Sequence, residues 1–240
     1  MSQTQSTMRQ LAADAPPDAA EVLGTLLAQR FSCRAFRPQP VPNKTVEHIL
    51  RQAQRTASWC NSQAWQVAVT RGEGTERLRQ RLLAHVDSKP ADSNDLPFPE
   101  AYLGVYLQRR RESGFQLYDA LGIGRGDREA YARQVRENFA FFGAPHVAVI
   151  SSNRSLGVYG AIDCGAYVSN FLLAARACGV ATLPQAALAR HGGFLRKELG
   201  LAEDRLVVCG ISFGYADEGH PANSYRTSRA GLDEVVQWVD

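Results

Sequence analysis

The feature that most constrains the fold is a short apolar run, HVAVIS, at residues 146–151. Pro145 precedes this run and a polar Ser/Asn/Arg stretch follows it, so the run has the length and the boundaries of a strand. Its apolar character predicts a central strand of a sheet. The segment at 159–180, YGAIDCGAYVSNFLLAARACGV, predicts a long helix that packs closely through Ala, Gly and Cys residues and ends near Gly179.

Further helices and strands alternate along the chain without internal repeats. Apolar spacing predicts helices at 20–30, from 43 or 45 to about 57, at 74–86 and at 192–200, and two helices within 100–143 on either side of a polar segment at 122–127. Strands are predicted at 65–72 and 205–216, and a terminal element carries Val235, Val236 and Val239. This order indicates an α/β or α+β fold. We expect a mobile arm at 1–19 and a single domain at 20–240.

Composition excludes several classes of protein. The net charge of +3 arises from 27 basic and 24 acidic residues that are interspersed, which is not the pattern of a nucleic-acid-binding protein. The five cysteines form no C-x-x-C pair and the five histidines no H-x-x-x-H pair, so we expect no metal site and a reduced, cytoplasmic location. We find neither a signal peptide nor a run of about 20 apolar residues, and therefore expect no membrane contact.

Three polar residues alternate in R-F-S-C-R at the end of the first predicted helix. Arg30, Ser32 and Arg34 would share one face of an extended segment. Two guanidinium groups and a hydroxyl on one face suit a phosphate, because arginine donates paired, charge-assisted hydrogen bonds to phosphate oxygens. The alternative is a solvated basic turn, and the spacing alone leaves both interpretations open.

The stretch SWCNSQAWQ, residues 58–66, is rich in amide and hydroxyl side chains beside a predicted strand. Ser58, Asn61 and Gln63 lie between a helix and a strand, where ligand-binding loops are common, and amides match the donors and acceptors at the edge of a heterocycle. The alternative is a surface turn. Trp65 begins the apolar alternation of the strand, which indicates that it is buried.

The segment Y-R-T-S-R, residues 225–229, offers a second cluster of anion-binding side chains in Arg226, Ser228 and Arg229, although such clusters are also common on surfaces. The sequence contains no G-x-S-x-G motif and no P-loop. A hydrolase with Cys60 as its nucleophile is an alternative, but no motif joins a cysteine to a histidine.

In their order along the chain, these motifs resemble those of the FMN-dependent nitroreductase family. The similarity includes R-x-S-x-R, S-x-x-N-x-Q-x-W, the long helix with the small-residue turn after it, and the tail SYRTSRAGLDEVV, and it covers residues 20–240. The segments FRPQPVP and RRRESGFQLYDALGI resemble the branch that reduces nitrobenzoates and other nitroaromatics. The resemblance implies an α+β fold, in which helices wrap a mainly antiparallel sheet, and an intertwined homodimer with FMN at the subunit interface.

The resemblance also implies which residues bind FMN. Arg30, Ser32 and Arg34 would hold its phosphate and ribityl end together with Arg229, and Arg226 is a further candidate. Ser58 and Asn61 of the opposite subunit would contact the isoalloxazine ring, with Gln63 nearby. A turn whose backbone would lie against the ring is formed by Pro184, Gln185, Ala186 and Ala187.

The activity that the resemblance implies is a ping-pong transfer of hydride from NADH or NADPH, through FMN, to a flat and electron-poor acceptor. A nitroaromatic acceptor would become a nitroso compound and then a hydroxylamine, and no side chain would act as a nucleophile. Reductive dehalogenation, enone reduction and flavin-based oxidation are alternatives on the same scaffold. A protein that binds FMN without turnover is a further alternative.

Four residues depart from the family pattern. Phe31 stands in place of a basic residue or histidine, Ala64 in place of the proline of Q-P-W, Ala186 in place of a glutamate found in some members, and Thr227 in place of a lysine. Aromatic residues of the predicted helical region at 100–143 would either line the acceptor pocket or form an ordinary helical core; they are Phe115, Tyr118, Phe139, Phe141 and Phe142.

Overall fold

A computed structural model describes residues 18–88 and 94–240. The arm predicted for 1–19 therefore lies almost wholly outside the described residues. Within them, the helices are α1 (Ala19–Gln29), α2 (Asn43–Ala53), α3 (Glu73–Ser88), α4 (Gly104–Ala120), α5 (Arg128–Arg136), α6 (Gly157–Ala177) and α7 (Gly192–Leu199). The strands are β1 (Trp65–Val69), β2 (His146–Asn153), β3 (Ala181–Gln185) and β4 (Arg205–Gly214).

The four strands form one antiparallel sheet in the order β1-β2-β4-β3. β2 is therefore an interior strand, as its apolar sequence predicts. Its alternate residues enter two different cores, because Val147 and Val149 face one side of the sheet and Ala148 and Ile150 face the other. Helices cover both sides, and the α+β fold expected from the sequence is confirmed.

A β-bulge in β4 decides which of its side chains enters which core. The pairing of β4 with β2 skips Val208, which is the extra residue. In a regular strand, Val207 and Ile211 would point to the same face, since they are an even number of positions apart. The bulge instead places Val207 in the core beside α3 and α7, and Ile211 in the core beneath α6.

Helix α6 packs across the sheet and against α2, and it buries Tyr167, Phe171 and Ala175. By length and composition alone, residues 154–177 would be sufficient to cross a membrane. The core helix of a globular domain meets the same criterion, and this helix has its buried face against the sheet.

The structure differs from the predicted elements at three places. Residues 181–185, predicted as a turn, form the edge strand β3, where Pro184 is tolerated because an edge strand leaves one row of backbone groups unpaired. Helix α2 ends at Ala53 rather than near 57, since the Thr56 hydroxyl donates to the Ala53 carbonyl at 2.7 Å. The terminal element contains one 3₁₀ turn, Leu232–Glu234, which the sequence did not predict.

Candidate functional site

The R-x-S-x-R segment is extended and runs beside the start of β3. A bridge joins Ser32 to Thr182, and the amide of Cys33 donates to the Thr182 carbonyl at 3.0 Å. Cys33 is fully buried, whereas Arg30, Ser32 and Arg34 are only partly buried. The three polar side chains therefore lie on the same face, as the alternation of the sequence predicts.

The C-terminal Y-R-T-S-R segment closes this face. The Arg34 amide donates to Oδ1 of Asn223, 189 positions along the chain, at 2.8 Å. The two segments enclose a cavity of about 300 Å³. We call it the arginine cavity, and the side chains that define it are Arg30, Ser32, Arg34, Tyr225, Arg226 and Arg229. Both predicted anion-binding motifs thus contribute to one site.

Hydrogen bonds to oxygen atoms orient two of these arginines. Nη1 of Arg34 donates to the Tyr225 hydroxyl at 3.0 Å and to the Ser32 carbonyl at 3.3 Å. Nη1 of Arg226 donates to the carbonyls of Asn223 and Tyr225 at 2.8 and 2.7 Å, and its guanidinium lies over the Phe31 ring. The side chains are therefore held in place before any ligand binds.

Thr227, which departs from the family's lysine, orients the remaining arginine of this segment. Nη1 of Arg229 donates to the Thr227 hydroxyl at 2.9 Å and to the Ser228 carbonyl at 2.7 Å. The positive charge that the family pattern places at 227 is absent from that position, but Arg226 lines the same cavity. The sequence left open whether Arg226 compensates for the missing lysine at position 227. The position of Arg226 in the wall of the cavity is consistent with such a role.

The arginine cavity carries positive charge without an acidic partner. Among residues 18–88 and 94–240, no Asp or Glu is ion-paired with Arg30, Arg34, Arg226 or Arg229. Burial and the nearby charge of Arg229 lower the pKa of the Arg30 guanidinium. Crowded guanidinium groups of this kind fit a phosphate monoester, whose two negative charges relieve their mutual repulsion.

A second cavity, of about 240 Å³, shares Arg34 with the first. Residues 184–187 at the end of β3 line it, as do Tyr118 and Asn138. The side chain of Gln185 is directed into the protein, where its Nε2 donates to the Asn138 carbonyl at 2.8 Å and its Oε1 accepts from the Ser212 hydroxyl. The turn therefore presents its backbone, rather than the Gln185 amide, to a ligand.

The amide-rich loop at 58–63 has an unusual backbone. It contains one 3₁₀ turn, Trp59–Asn61, and three non-glycine residues with positive φ: Cys60 at 52°, Asn61 at 54° and Gln63 at 47°. Residues with side chains seldom adopt this left-handed conformation, and it concentrates at functional sites where the surroundings enforce it. The strained backbone of this loop therefore indicates a functional role beyond the connection of α2 to β1.

Helix α6 holds this loop through Asp163, which sequence reasoning missed. The buried carboxylate accepts hydrogen bonds from the Trp59 amide and from the Ser62 hydroxyl, each at 3.2 Å. Within the loop, the Ser58 hydroxyl accepts from the Gln63 amide at 2.9 Å. Asp163 is the one acidic residue of this mainly apolar helix, and that was the available sequence signal, because a buried carboxylate needs polar partners.

Trp65 anchors the loop in the core, as predicted. It is 8% exposed and stacks on Tyr167 with 5.0 Å between ring centroids. Its indole nitrogen donates to Oε1 of Gln54 at 3.0 Å, and Nε2 of Gln54 donates to Oε1 of Gln63 at 2.9 Å. The Gln54 side chain thus connects the buried Trp65 indole to the Gln63 side chain through two hydrogen bonds.

Within one chain, the loop and the arginine cavity are separate. Asn61 and Gln63 line a cavity of about 510 Å³ together with Arg51 and Arg55. This cavity and the arginine cavity share no lining residue. Of the aromatic residues considered for an acceptor pocket, Tyr118 lines the cavity at 184–187 together with the mostly buried Phe142. Phe139 and Phe141 belong to the core. Among the described residues, no three His, Cys, Asp or Glu side chains cluster as metal ligands.

Comparison with known proteins identifies the family. Residues 27–215 match the model of the Nitroreductase family. Nitroreductase NfnB of Mycolicibacterium smegmatis is 37% identical over 223 residues, which are 92% of this chain and 94% of that protein. The 4-nitrobenzoate reductase of a Nocardioides species is 32% identical over 225 residues, 92% of this chain and 91% of that protein.

A solved structure agrees with these sequence matches. The crystal structure of the FMN-dependent nitroreductase NfnB from Mycobacterium smegmatis in complex with NADPH has a TM-score of 0.89 and 36% identity, and the match covers 93% of this chain and 100% of that one. The shared fold is the antiparallel sheet and helices described above. The chain therefore belongs to the nitroreductase family.

Proposed function

We propose that this protein is an FMN-dependent oxidoreductase that passes hydride from NAD(P)H to a flat, electron-poor acceptor, with nitroaromatics as the acceptor class. The observation that carries the proposal is the arginine cavity, which two distant chain segments build without a carboxylate, next to the backbone turn at 184–187. The similarity to relatives named nitroreductase and 4-nitrobenzoate reductase supports the acceptor class.

The residues present fit FMN at both ends. Arg30, Arg226 and Arg229 would bind its phosphate, and the Ser32 hydroxyl would donate a further hydrogen bond. Arg34 lines both cavities, so its positive charge is available between the phosphate and the ring. The turn at 184–187 would meet the ring through its backbone, since the Gln185 side chain is held by Asn138 and Ser212.

When bound, FMN supplies the atom that accepts hydride from a nicotinamide and returns it to the acceptor, so this chain needs no nucleophilic side chain. The chain's own residues bind and orient. Arg34 stabilises negative charge near the site, and the rings of Tyr118 and Phe142 narrow the cavity and exclude water. A relative crystallised in complex with NADPH supports NADPH as the hydride donor.

We further propose a homodimer, because the chain exposes apolar side chains that its own fold does not cover. Helix α1 buries none of its residues although Leu23 and Leu27 are apolar. On α6, Val158 and Ile162 are 72% and 57% exposed, and Trp238 near the C-terminus is 82% exposed. Exposed apolar surface of this kind is typical of protein interfaces.

A dimer also accounts for the amide-rich loop. Ser58, Asn61 and Gln63 lie apart from the arginine cavity of their own chain. We propose that they contact the flavin ring bound by the partner, which would give the strained backbone of the loop its function. We also propose that residues 20–240 form one FMN-binding domain, and that the protein is cytoplasmic, a compartment that suits its five free cysteines.

The test is the visible absorption spectrum of the purified protein, recorded anaerobically before and after NADPH and then NADH. We expect flavin bands that bleach with a nicotinamide and return when a nitrobenzoate is added. Bands that never bleach would favour an FMN-binding protein without turnover. A colourless protein that takes up no added FMN would overturn the proposal, and recovery only with halogenated aromatics or enones would change the acceptor class.

A further inference from the structure

One buried amide connects the two segments that carry the arginine cavity. Asn223 ends the 3₁₀ turn Pro221–Asn223 and is 5% exposed. Its Oδ1 accepts from the Arg34 amide at 2.8 Å, and its Nδ2 donates to the carbonyls of Ala35 at 2.9 Å and Asp217 at 2.8 Å. The side chain thus uses its acceptor and both of its donor hydrogens, and these bonds join residues 34–35 to the segment at 217–223.

The backbone of the same residue reaches the cavity from the other side. The Asn223 carbonyl accepts from Nη1 of Arg226 at 2.8 Å, and the Arg226 guanidinium rests on Phe31. Two residues further along, the Tyr225 hydroxyl accepts from Nη1 of Arg34 at 3.0 Å. Asn223 therefore fixes the main chain of one arginine and the guanidinium of another, across 189 positions of sequence.

We propose that Asn223 is a positioning residue of the phosphate site, which sets the spacing between Arg34 and Arg226 so that Arg226 meets the phosphate while Arg34 stays between the phosphate and the ring. The inference rests on the proposed function of the protein as an FMN enzyme. Two guanidinium groups repel each other in the absence of ligand, and a fixed scaffold has to oppose that repulsion. An amide suits this role better than a carboxylate, because it bonds both segments without neutralising the charge that attracts the phosphate.

The test compares FMN with riboflavin, which has the same ring and ribityl chain but no phosphate. Both are titrated into the full chain after removal of its flavin, with flavin fluorescence as the readout. We expect N223A to reduce the preference for FMN over riboflavin by about tenfold or more, while the Kd for riboflavin changes by less than about threefold. A residue that only stabilises the fold would weaken both ligands equally.

A matched control loses a buried hydrogen bond away from the site. Thr75 in α3 is 2% exposed and its hydroxyl donates to the Thr70 hydroxyl at 2.9 Å. We expect T75A to lower stability and leave the preference for FMN unchanged. If N223A does not fold, N223S decides, because serine retains one hydrogen-bonding group and should show a smaller loss of the same preference.

The outcomes separate the two proposals. An N223A or N223S protein that keeps the wild-type preference, or that loses affinity for FMN and riboflavin equally, would overturn the positioning role alone. A wild-type chain that binds neither flavin, or that binds riboflavin as tightly as FMN, would overturn the proposed phosphate site itself.

Discussion

The Arg226 guanidinium carbon lies 3.8 Å from the centroid of the Phe31 ring. Phe31 is one of the positions at which the sequence departs from its family, since a basic residue or histidine is usual there. The Phe31 ring has no charge of its own, but it packs against the Arg226 guanidinium, which comes from the C-terminal segment. We propose that Phe31 and Arg226 together take the place of the missing basic side chain.

Replacement of Phe31 should weaken FMN binding through Arg226. We expect F31A to raise the Kd for FMN about threefold to thirtyfold, because a cation on an aromatic face contributes about 0.5–2 kcal/mol. F31Y keeps the ring and should bind FMN like the wild type. The measurement is a fluorescence titration of the flavin-free protein, and an F31A variant with wild-type affinity would contradict the role of the ring.

Loss of Arg229 should weaken FMN binding more strongly. R229Q removes a guanidinium from a cavity where it faces the phosphate, and hydrogen bonds to charged groups contribute about 1.5–3 kcal/mol, so we expect a rise in Kd of about 10- to 100-fold. The control is R77Q, because Arg77 is exposed and pairs with Glu73 on α3. Equal effects of the two substitutions would indicate a general effect of surface charge.

Asp163 should control the amide-rich loop. D163A leaves the Trp59 amide and the Ser62 hydroxyl without their acceptor, so we expect the free energy of unfolding to fall by about 2 kcal/mol. Turnover of NADPH with a nitrobenzoate should fall at least tenfold, because the loop loses its strained conformation. D163N keeps a hydrogen-bond acceptor at this position and should retain part of the stability and part of the turnover. Full activity in D163A, measured on FMN-saturated protein, would show that the loop is not part of the site.

His146 should make stability decrease toward acid. Its Nε2 accepts from the Val41 amide at 3.0 Å, its Nδ1 faces the Thr70 carbonyl at 3.2 Å, and burial lowers the pKa of the ring. Below the ordinary histidine pKa of about 6.5, the unfolded chain binds a proton that the folded chain excludes, so the contribution present above that pH is lost as the pH falls.

Chemical denaturation at about pH 7.5 and 5.5 measures this effect. We expect the free energy of unfolding to fall by about 1 kcal/mol more in the wild type than in H146Q over this range. The control is H48Q, which removes a histidine that is exposed on α2. If the free energy of unfolding changes equally in wild type and H146Q between these two pH values, His146 is not the source of the pH dependence.

Cys60 should be dispensable for catalysis. It is exposed in the loop at 58–63 and has a positive φ of 52°. We expect C60A to keep at least about half of the wild-type oxidation of NADPH with a nitrobenzoate, because the reactive group belongs to the cofactor. Complete loss of this activity in a C60A protein that still binds FMN would contradict the expectation and assign the thiol a role in the redox reaction.

The anion-binding motifs were predictable from sequence because side-chain chemistry and period-2 spacing are local properties. Arg30, Ser32 and Arg34 share a face in any extended segment, and the structure shows that they do. The apolar run of β2 likewise predicted an interior strand. What spacing could not reveal was that Arg226 and Arg229 complete the same cavity, because that depends on how the chain returns after β4.

Other features depend on tertiary contacts that no local pattern reports. The bulge at Val208 places Val207 and Ile211 on opposite sides of the sheet, and the apolar composition of β4 does not reveal this. The side-chain amide of Gln185, whose direction the sequence did not indicate, turns inward because Asn138 and Ser212 offer it partners. Asp163 and Asn223 are single polar residues whose importance rests on the distant groups that they bind.

The arginine cavity also has a consequence for biosynthesis. Its first members are at positions 30–34 and its last is Arg229. A ribosome therefore completes almost the whole chain before the cavity can exist, and synthesis proceeds at about 5–20 residues per second. The nascent protein cannot capture its cofactor during translation, and the C-terminal segment has to leave the exit tunnel before the flavin can help the chain to fold.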